Sequence, residues 1–167
     1  VGVTVVIRPD LDARAYLTLG VMHTPYPSTA LALQVFLHEC AHFHFHRTCS
    51  YPIHRQEYEA ESWSFAVMRA CGVEVHERSI QCAQGYVSKK IRAAMMRGAN
   101  VVDCDAFEFI DPALALLWGY ERVDGLQRIV KYGRRRAILG TVGATPNFAN
   151  VLSKVDAYSL LHVTVIA

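Results

Sequence analysis

The sequence feature that most constrains this chain is the pentapeptide His38-Glu39-Cys40-Ala41-His42, which lies inside an apolar segment. Residues four apart share one face of a helix, so the imidazoles of His38 and His42 can reach the same metal ion. Glu39 points in a neighbouring direction, where its carboxylate can take a proton from a metal-bound water. The motif therefore predicts a helix with a zinc site, in which His38 and His42 are ligands and Glu39 is the catalytic base.

A chance match is the alternative interpretation of the motif. The chain has eight histidines, so an accidental H-E-x-x-H has a probability on the order of a per cent. An accidental match would also fall as readily on a loop as in the middle of an apolar helix. The position of the motif therefore favours a metal site over coincidence.

Length and composition limit the size of the fold and the kinds of partner that the chain can have. A chain of 167 residues with 52% hydrophobic residues can bury a core of single-domain size. The net charge of +2 indicates neither a nucleic-acid nor a membrane partner. The beginning of the chain does not resemble a signal peptide, and no apolar run reaches the ~18 residues of a membrane span. The five cysteines include no CxxC pair, which favours free thiols and a cytoplasmic location.

The pattern of apolar residues predicts an α+β fold of the zincin-like type. A small N-terminal sheet, with strands at residues 3–7 and 15–22, would pack on the HExxH helix and its partner helices. The predicted helices span about residues 30–46, 55–71, 79–97 and 112–119, with Ser28 or Thr29 as the cap of the first and Gly72 as the stop of the second. Residues 1–100 would form the core, and residues 101–167 a C-terminal extension of unassigned role.

A catalytic zinc needs a third protein ligand and an open fourth position. The metzincin pattern fails, because Phe45 and Thr48 stand where it requires glycine and histidine. His46 is a further helical turn away from the ion, and His44 points to another face. These two and His54 are therefore interpreted as non-ligands.

Acidic residues on the next predicted helix are better candidates. Glu57 and Glu61 share a face with apolar residues, whereas Glu59 points elsewhere and is expected in solvent. We predict Glu57 as the third ligand and Glu61 as a carboxylate that accepts the other ring N–H of a ligand histidine and fixes its orientation. The reverse assignment of these two glutamates stays open.

The residues from Leu37 to His42, followed by Glu57-Tyr58-Glu59-Ala60-Glu61, Ser64 and Gly72, resemble the zincin-like peptidase domain of ArdC-type antirestriction proteins. They are more distantly similar to ImmA/IrrE and SprT-type peptidases. The resemblance covers roughly residues 16–97. It implies that the first glutamate of the second helix, here Glu57, supplies the third ligand of a gluzincin-like site. Similar small HExxH proteins occur among phage and mobile-element genes.

The ligand set predicts hydrolysis of a peptide or protein substrate. Glu39 would activate a zinc-bound water, and Tyr58, Tyr86 or His54 would donate a hydrogen bond to the oxyanion. An extended substrate would pair with the predicted strand at residues 16–22 as an added β-strand.

The basic residues support an alternative function. They include Lys89, Lys90, Arg92, Arg97 and Arg134 to Arg136. Under that alternative, the chain is an antirestriction or regulatory protein that binds DNA, and its zinc site is mainly structural. A solvated helix face is the more common explanation for such charges.

Overall fold

The computed structural model describes residues 2–9, 12–110, 120–123, 126–132, 135–140 and 163–166. Beyond residue 110, burial is described for Leu139 and Gly140. The described residues form helices and small mixed sheets, so the predicted α+β class is confirmed.

The elements occur in the following order along the chain: β1 (Val3–Arg8), β2 (Arg14–Tyr16), β3 (Val21–Pro25), α1 (Ala30–Phe45), α2 (Ile53–Ala70), α3 (Glu77–Met96), β4 (Val101–Asp103), α4 (Cys104–Phe109), β5 (Tyr120–Val123), β6 (Leu126–Tyr132), β7 (Arg135–Gly140) and β8 (Val163–Ile166).

The chain divides into two compact units, and the predicted division into a core at residues 1–100 and a C-terminal extension stays a prediction. One unit comprises residues 1–50, 60–75 and 146–167, and the other comprises 51–59 and 76–145. Helix α2 contributes to both units, because its first turns belong to the second and the rest of it to the first.

The first unit contains a sheet of strand order β2-β3-β1-β8. Strand β1 pairs in parallel with β3 and β8, and β2 pairs antiparallel with β3. The prediction of one strand over residues 15–22 is wrong, because the chain turns between Tyr16 and Val21. Gly20 has φ of 66°, a left-handed conformation that glycine adopts without steric cost, and this allows the turn. Within this sheet, β2 is an edge strand.

Helices α1 and α2 of the first unit share a hydrophobic cluster. Its buried members are Ala41, Ala60, Trp63 and Val67, and Leu37, Cys40 and Phe45 pack against it. Because Ala41 and Ala60 are small, the two helix backbones can approach closely here. The HExxH segment thereby lies on a helix whose apolar face is held against α2.

The helix ends follow from local chemistry. The hydroxyl of Thr29 accepts a hydrogen bond from Ala32 N at 3.1 Å and caps α1, as expected for one of the two predicted capping residues. Gly72 follows the end of α2 with φ of 72° and confirms the predicted stop. The predicted helices at 30–46, 55–71 and 79–97 are thus confirmed as α1, α2 and α3, with small shifts in their bounds.

The second unit contains a sheet of order β4-β7-β6-β5, which the sequence analysis did not predict. Its core lies between helix and sheet, with buried residues that include Val87, Ile91, Met95, Val102, Ala106, Phe107, Ile110 and Leu139. The predicted helix near residues 112–119 and the basic residue Arg134 lie outside the described residues.

Candidate metal centre

His38 and His42 lie one turn apart on α1, and their imidazoles converge. Nε2 of His42 is 3.1 Å from Nε2 of His38, with ring centroids 4.8 Å apart and planes at 73°. Two nitrogens bound to one tetrahedral zinc at about 2.0–2.1 Å lie about 3.3–3.4 Å from each other. The spacing of the two Nε2 atoms therefore fits ligation of a shared ion.

A carboxylate oxygen of Glu57 completes a group of three metal-binding side chains. The ligand atoms of His38, His42 and Glu57 all lie within 4.8 Å of one another. His38 and Glu57 are buried and His42 is half-buried. The structure thus brings together the three residues that were predicted as ligands.

Glu61 lies one turn after Glu57 on α2 and contacts the other side of His38. Its Oε1 is 3.3 Å from His38 Nδ1, and its Oε2 accepts a hydrogen bond from Gln34 Nε2 at 2.8 Å. A carboxylate at Nδ1 keeps a proton on that nitrogen and leaves Nε2 available as a ligand. This geometry favours Glu57 as the ligand and Glu61 as the carboxylate that orients His38. The hydrogen bond from Gln34 to Glu61 was not predicted from the sequence.

Glu39, the predicted base, is 7% exposed. The thiol of Cys40, which follows it, has its pKa raised to about 12 by burial and by the neighbouring charge of Glu39. The thiol is therefore neutral at physiological pH and is not suited to metal ligation, which requires a thiolate. The donors of the site are accordingly nitrogen and oxygen atoms.

Two residues of α3 contact Glu57. Lys90 Nζ donates to Glu57 Oε1 at 2.8 Å, and Tyr86 OH donates to the same oxygen at 3.5 Å. Burial lowers the pKa of Lys90, but the hydrogen bonds to Glu57 and Tyr86 outweigh this effect and raise it. From the sequence, Lys90 was one of the basic residues that support the DNA-binding alternative. The spacing of Tyr86 and Lys90, four residues apart, is the signal that could have linked them.

The three predicted oxyanion donors have different surroundings. Tyr86 is 39% exposed and its hydroxyl is directed at Glu57. Tyr58 packs edge-on against Phe109, with the ring centroids 5.5 Å apart. His54 is 1% exposed, and its Nε2 accepts a hydrogen bond from Asp103 N at 3.0 Å. Since His54 is almost fully buried and the hydroxyl of Tyr86 is directed at a predicted ligand, Tyr86 is the donor that the geometry favours.

The other two histidines of α1 differ from each other. His44 is exposed and stacks near Trp63, with ring centroids 6.4 Å apart. His46 is 3% exposed, and its Nδ1 lies 2.9 Å from Nδ1 of His42. This contact between His42 and His46 was not predicted from the sequence, although His46 continues the four-residue spacing of His38 and His42.

The expectation that Glu59 points into solvent is wrong. Glu59 is 1% exposed and contacts the guanidinium of Arg55, its neighbour one turn earlier on α2. Arg55 also donates to Asp103 at 2.9 Å and to Asp105 at 2.8 Å. Asp103 lies 48 residues along the chain from Arg55, which is why helical spacing could not reveal this cluster.

Comparison with protein families, with curated proteins and with solved structures finds no match to this chain. Within the described residues, no helix is both long enough and apolar enough to cross a bilayer. None of the five cysteines forms a disulfide.

Proposed function

We propose that this protein is a zinc-dependent peptidase with a zincin-like site. The proposal depends on one observation, the convergence of two imidazole nitrogens of α1 and a carboxylate oxygen of α2 within 4.8 Å. Two nitrogens and one oxygen are a donor set found in hydrolytic zinc sites, which keep a fourth position for water. The resemblance of the motif to zincin-like peptidases supports the same function.

The roles of the residues follow from their chemistry. His38, His42 and Glu57 would hold the metal, which when bound lowers the pKa of its water to about 7 and polarises the scissile carbonyl. The carboxylate of Glu39 would accept a proton from the attacking water and pass it to the leaving amine, so Glu39 would be a carboxylate again at the end of the cycle. Tyr86 carries a hydroxyl that can donate to the oxyanion.

An extended peptide is the substrate class that fits the fold. In the described sheet, β2 pairs with β3 along one side and leaves its other side as an edge. A peptide can add to such an edge through main-chain hydrogen bonds, with little dependence on its side chains. We therefore expect cleavage of unstructured or locally unfolded protein segments.

The test compares wild type with Glu39→Gln and with Glu77→Gln, a matched change at an exposed position of α3. Glu39→Gln should retain zinc by elemental analysis and lose about 10²- to 10⁴-fold in cleavage of an unstructured protein such as casein. Glu77→Gln should retain both zinc and cleavage. Undiminished cleavage by Glu39→Gln would refute its role as the base.

The third ligand is tested separately by elemental analysis of Glu57→Ala. Loss of zinc in a folded Glu57→Ala protein is the expected result, because two imidazoles alone hold zinc weakly. Retention of zinc would exclude Glu57 as a ligand. Glu61→Ala would then show whether the reverse assignment of the two glutamates is correct.

A further inference from the structure

Three histidines form a row on successive turns of α1. Nε2 of His38 lies 3.1 Å from Nε2 of His42, and Nδ1 of His42 lies 2.9 Å from Nδ1 of His46. His46 is the residue at the C-terminal cap of the helix, where its backbone N–H donates to the carbonyl of His42 at 2.9 Å. Each nitrogen of the central imidazole therefore has a histidine nitrogen within hydrogen-bonding distance.

A neutral imidazole has one N–H, and a nitrogen that binds a metal must carry no proton. Nε2 of His42 is the nitrogen that faces His38, so ligation at this position requires the proton of His42 to be on Nδ1. In the opposite tautomer, Nδ1 of His46 would donate to His42, and the protonated Nε2 of His42 could not bind an ion. The direction of the contact between His42 and His46 thus decides whether His42 is competent as a ligand.

The tautomer of His38 is influenced by Glu61. A carboxylate oxygen of Glu61, which can only accept, lies 3.3 Å from Nδ1 of His38. The negative charge of Glu61 favours a proton on Nδ1 of His38, which leaves the lone pair of its Nε2 to face His42. When Nδ1 of His42 is also protonated, two lone pairs meet at 3.1 Å, an arrangement that attracts a cation between them.

We infer that His46 is a positioning residue, which accepts the Nδ1–H of His42 and holds that imidazole in the tautomer that binds the metal. The inference rests on the proposed function, because it names a support for the same site. At 3% exposure, His46 is removed from bulk water, which would otherwise compete for the Nδ1–H of His42. Outer partners of ligand histidines typically contribute about 10- to 100-fold to metal affinity.

The contact uses Nδ1 of His46, which defines the variants for the test. The amide of asparagine lies at the same distance from the backbone as Nδ1, so His46→Asn retains an acceptor in place. Glutamine extends its amide by one more bond, and leucine has no acceptor. The control is His44→Leu, since His44 is an exposed histidine of the same helix.

Metal affinity is measured for each purified variant by competition with a chelator, and the cobalt-substituted proteins are compared by their visible absorption. His46→Leu and His46→Gln should bind zinc about 10- to 100-fold more weakly than wild type. His46→Asn and His44→Leu should stay within a few-fold of wild type, with an unchanged cobalt spectrum. Nitrogen-15 NMR of the zinc-loaded wild type should show the proton of His42 on Nδ1, with a coupling across its hydrogen bond to Nδ1 of His46.

Several results would overturn the inference. Wild-type affinity and spectrum in His46→Leu would show that His46 does not act through His42. Complete loss of metal from a folded His46→Asn protein would make His46 a ligand instead. Absence of that coupling in the zinc-loaded wild type would also overturn the inference. By contrast, a wild type that binds no zinc would refute the proposed function itself.

Discussion

Two buried polar clusters on helix α2 differ in where their positive charge comes from. The arginine cluster comprises Arg55, Glu59, Asp103 and Asp105. The histidine cluster comprises His38, His42, Glu57 and Glu61. Since residues two apart on a helix point in roughly opposite directions, α2 presents the two clusters on different faces.

The arginine cluster contains a permanent cation. The guanidinium of Arg55 contacts all three carboxylates of its cluster, and it is fully buried. Burial lowers the pKa of Arg55, but the hydrogen bonds that it donates to Glu59, Asp103 and Asp105 outweigh this effect and raise the pKa. Arg55 therefore stays charged at every accessible pH, and the cluster is suited to a structural role.

The histidine cluster has nitrogen donors that a metal can use. Lys90 contacts Glu57, whereas Glu61 contacts the neutral amide of Gln34 and the imidazole of His38. Buried carboxylates alone therefore do not identify a metal site. The identity of their partners separates a structural ion cluster from a site that can bind a divalent cation.

The largest effect on stability is expected from Arg55→Met. Removing the guanidinium leaves buried carboxylates without their cation, which should lower the free energy of unfolding by about 3–5 kcal/mol. Urea denaturation measures the loss. Arg69→Met, at an exposed position of α2, should change it by no more than about 0.5 kcal/mol. If both variants lose equally little, the arginine cluster does not stabilise the fold.

The second prediction concerns Glu61→Gln in the histidine cluster. Loss of the negative charge beside His38 Nδ1 should reduce zinc affinity about 10- to 100-fold, because that carboxylate strengthens the imidazole as a ligand. Chelator competition measures the change, with Glu77→Gln as the exposed control. Complete loss of binding in Glu61→Gln, with wild-type binding in Glu57→Gln, would support the reverse assignment.

The third prediction is a pH dependence carried by His54, which borders the arginine cluster. Burial lowers the pKa of His54 from 6.5, and the charge of Asp103 offsets part of this. The unfolded chain then binds more protons than the native state below pH 6.5. Stability is fully present above that pH and is lost as the pH falls towards the pKa of the folded state, by at most about 1.4 kcal/mol per pH unit.

His54→Gln is the variant that tests this dependence. The glutamine oxygen can replace Nε2 as the acceptor for Asp103 N, but it does not titrate. Urea denaturation across the acid range should therefore show a shallower loss of stability in His54→Gln than in wild type. His44→Gln, at an exposed position, should keep the wild-type slope. An unchanged slope in His54→Gln would contradict the prediction.

The smallest effect is expected from Lys90→Met. The ammonium of Lys90 occupies Glu57 Oε1 at 2.8 Å, so it competes with a metal for the same carboxylate. Partly exposed ion pairs contribute about 0.2–1 kcal/mol, so its removal should raise zinc affinity by up to about fivefold. Lys89→Met is the exposed control. A fall in affinity would instead show that Lys90 holds Glu57 in position for the metal.

Features that depend on local spacing were predicted well. The helical period places His38 above His42, and the cap at Thr29 and the stop at Gly72 set the ends of their helices. The pairing of Glu57 with Glu61 on one face also followed from spacing. The turn before Gly20 was missed, because apolar residues on both sides of it continue the pattern of a strand.

Local sequence patterns were sufficient to predict the HExxH helix, the helix that carries the two candidate glutamates, and the α+β class. Each of these depends on contacts between residues that are close together in the chain. The tertiary structure places Glu59 against Arg55, which also contacts Asp103, and it places Lys90 against Glu57. It also decided which carboxylate faces Nδ1 of His38. Burial and charge pairing depend on residues that are far apart in the chain, and no local spacing pattern indicates which of these residues will be in contact.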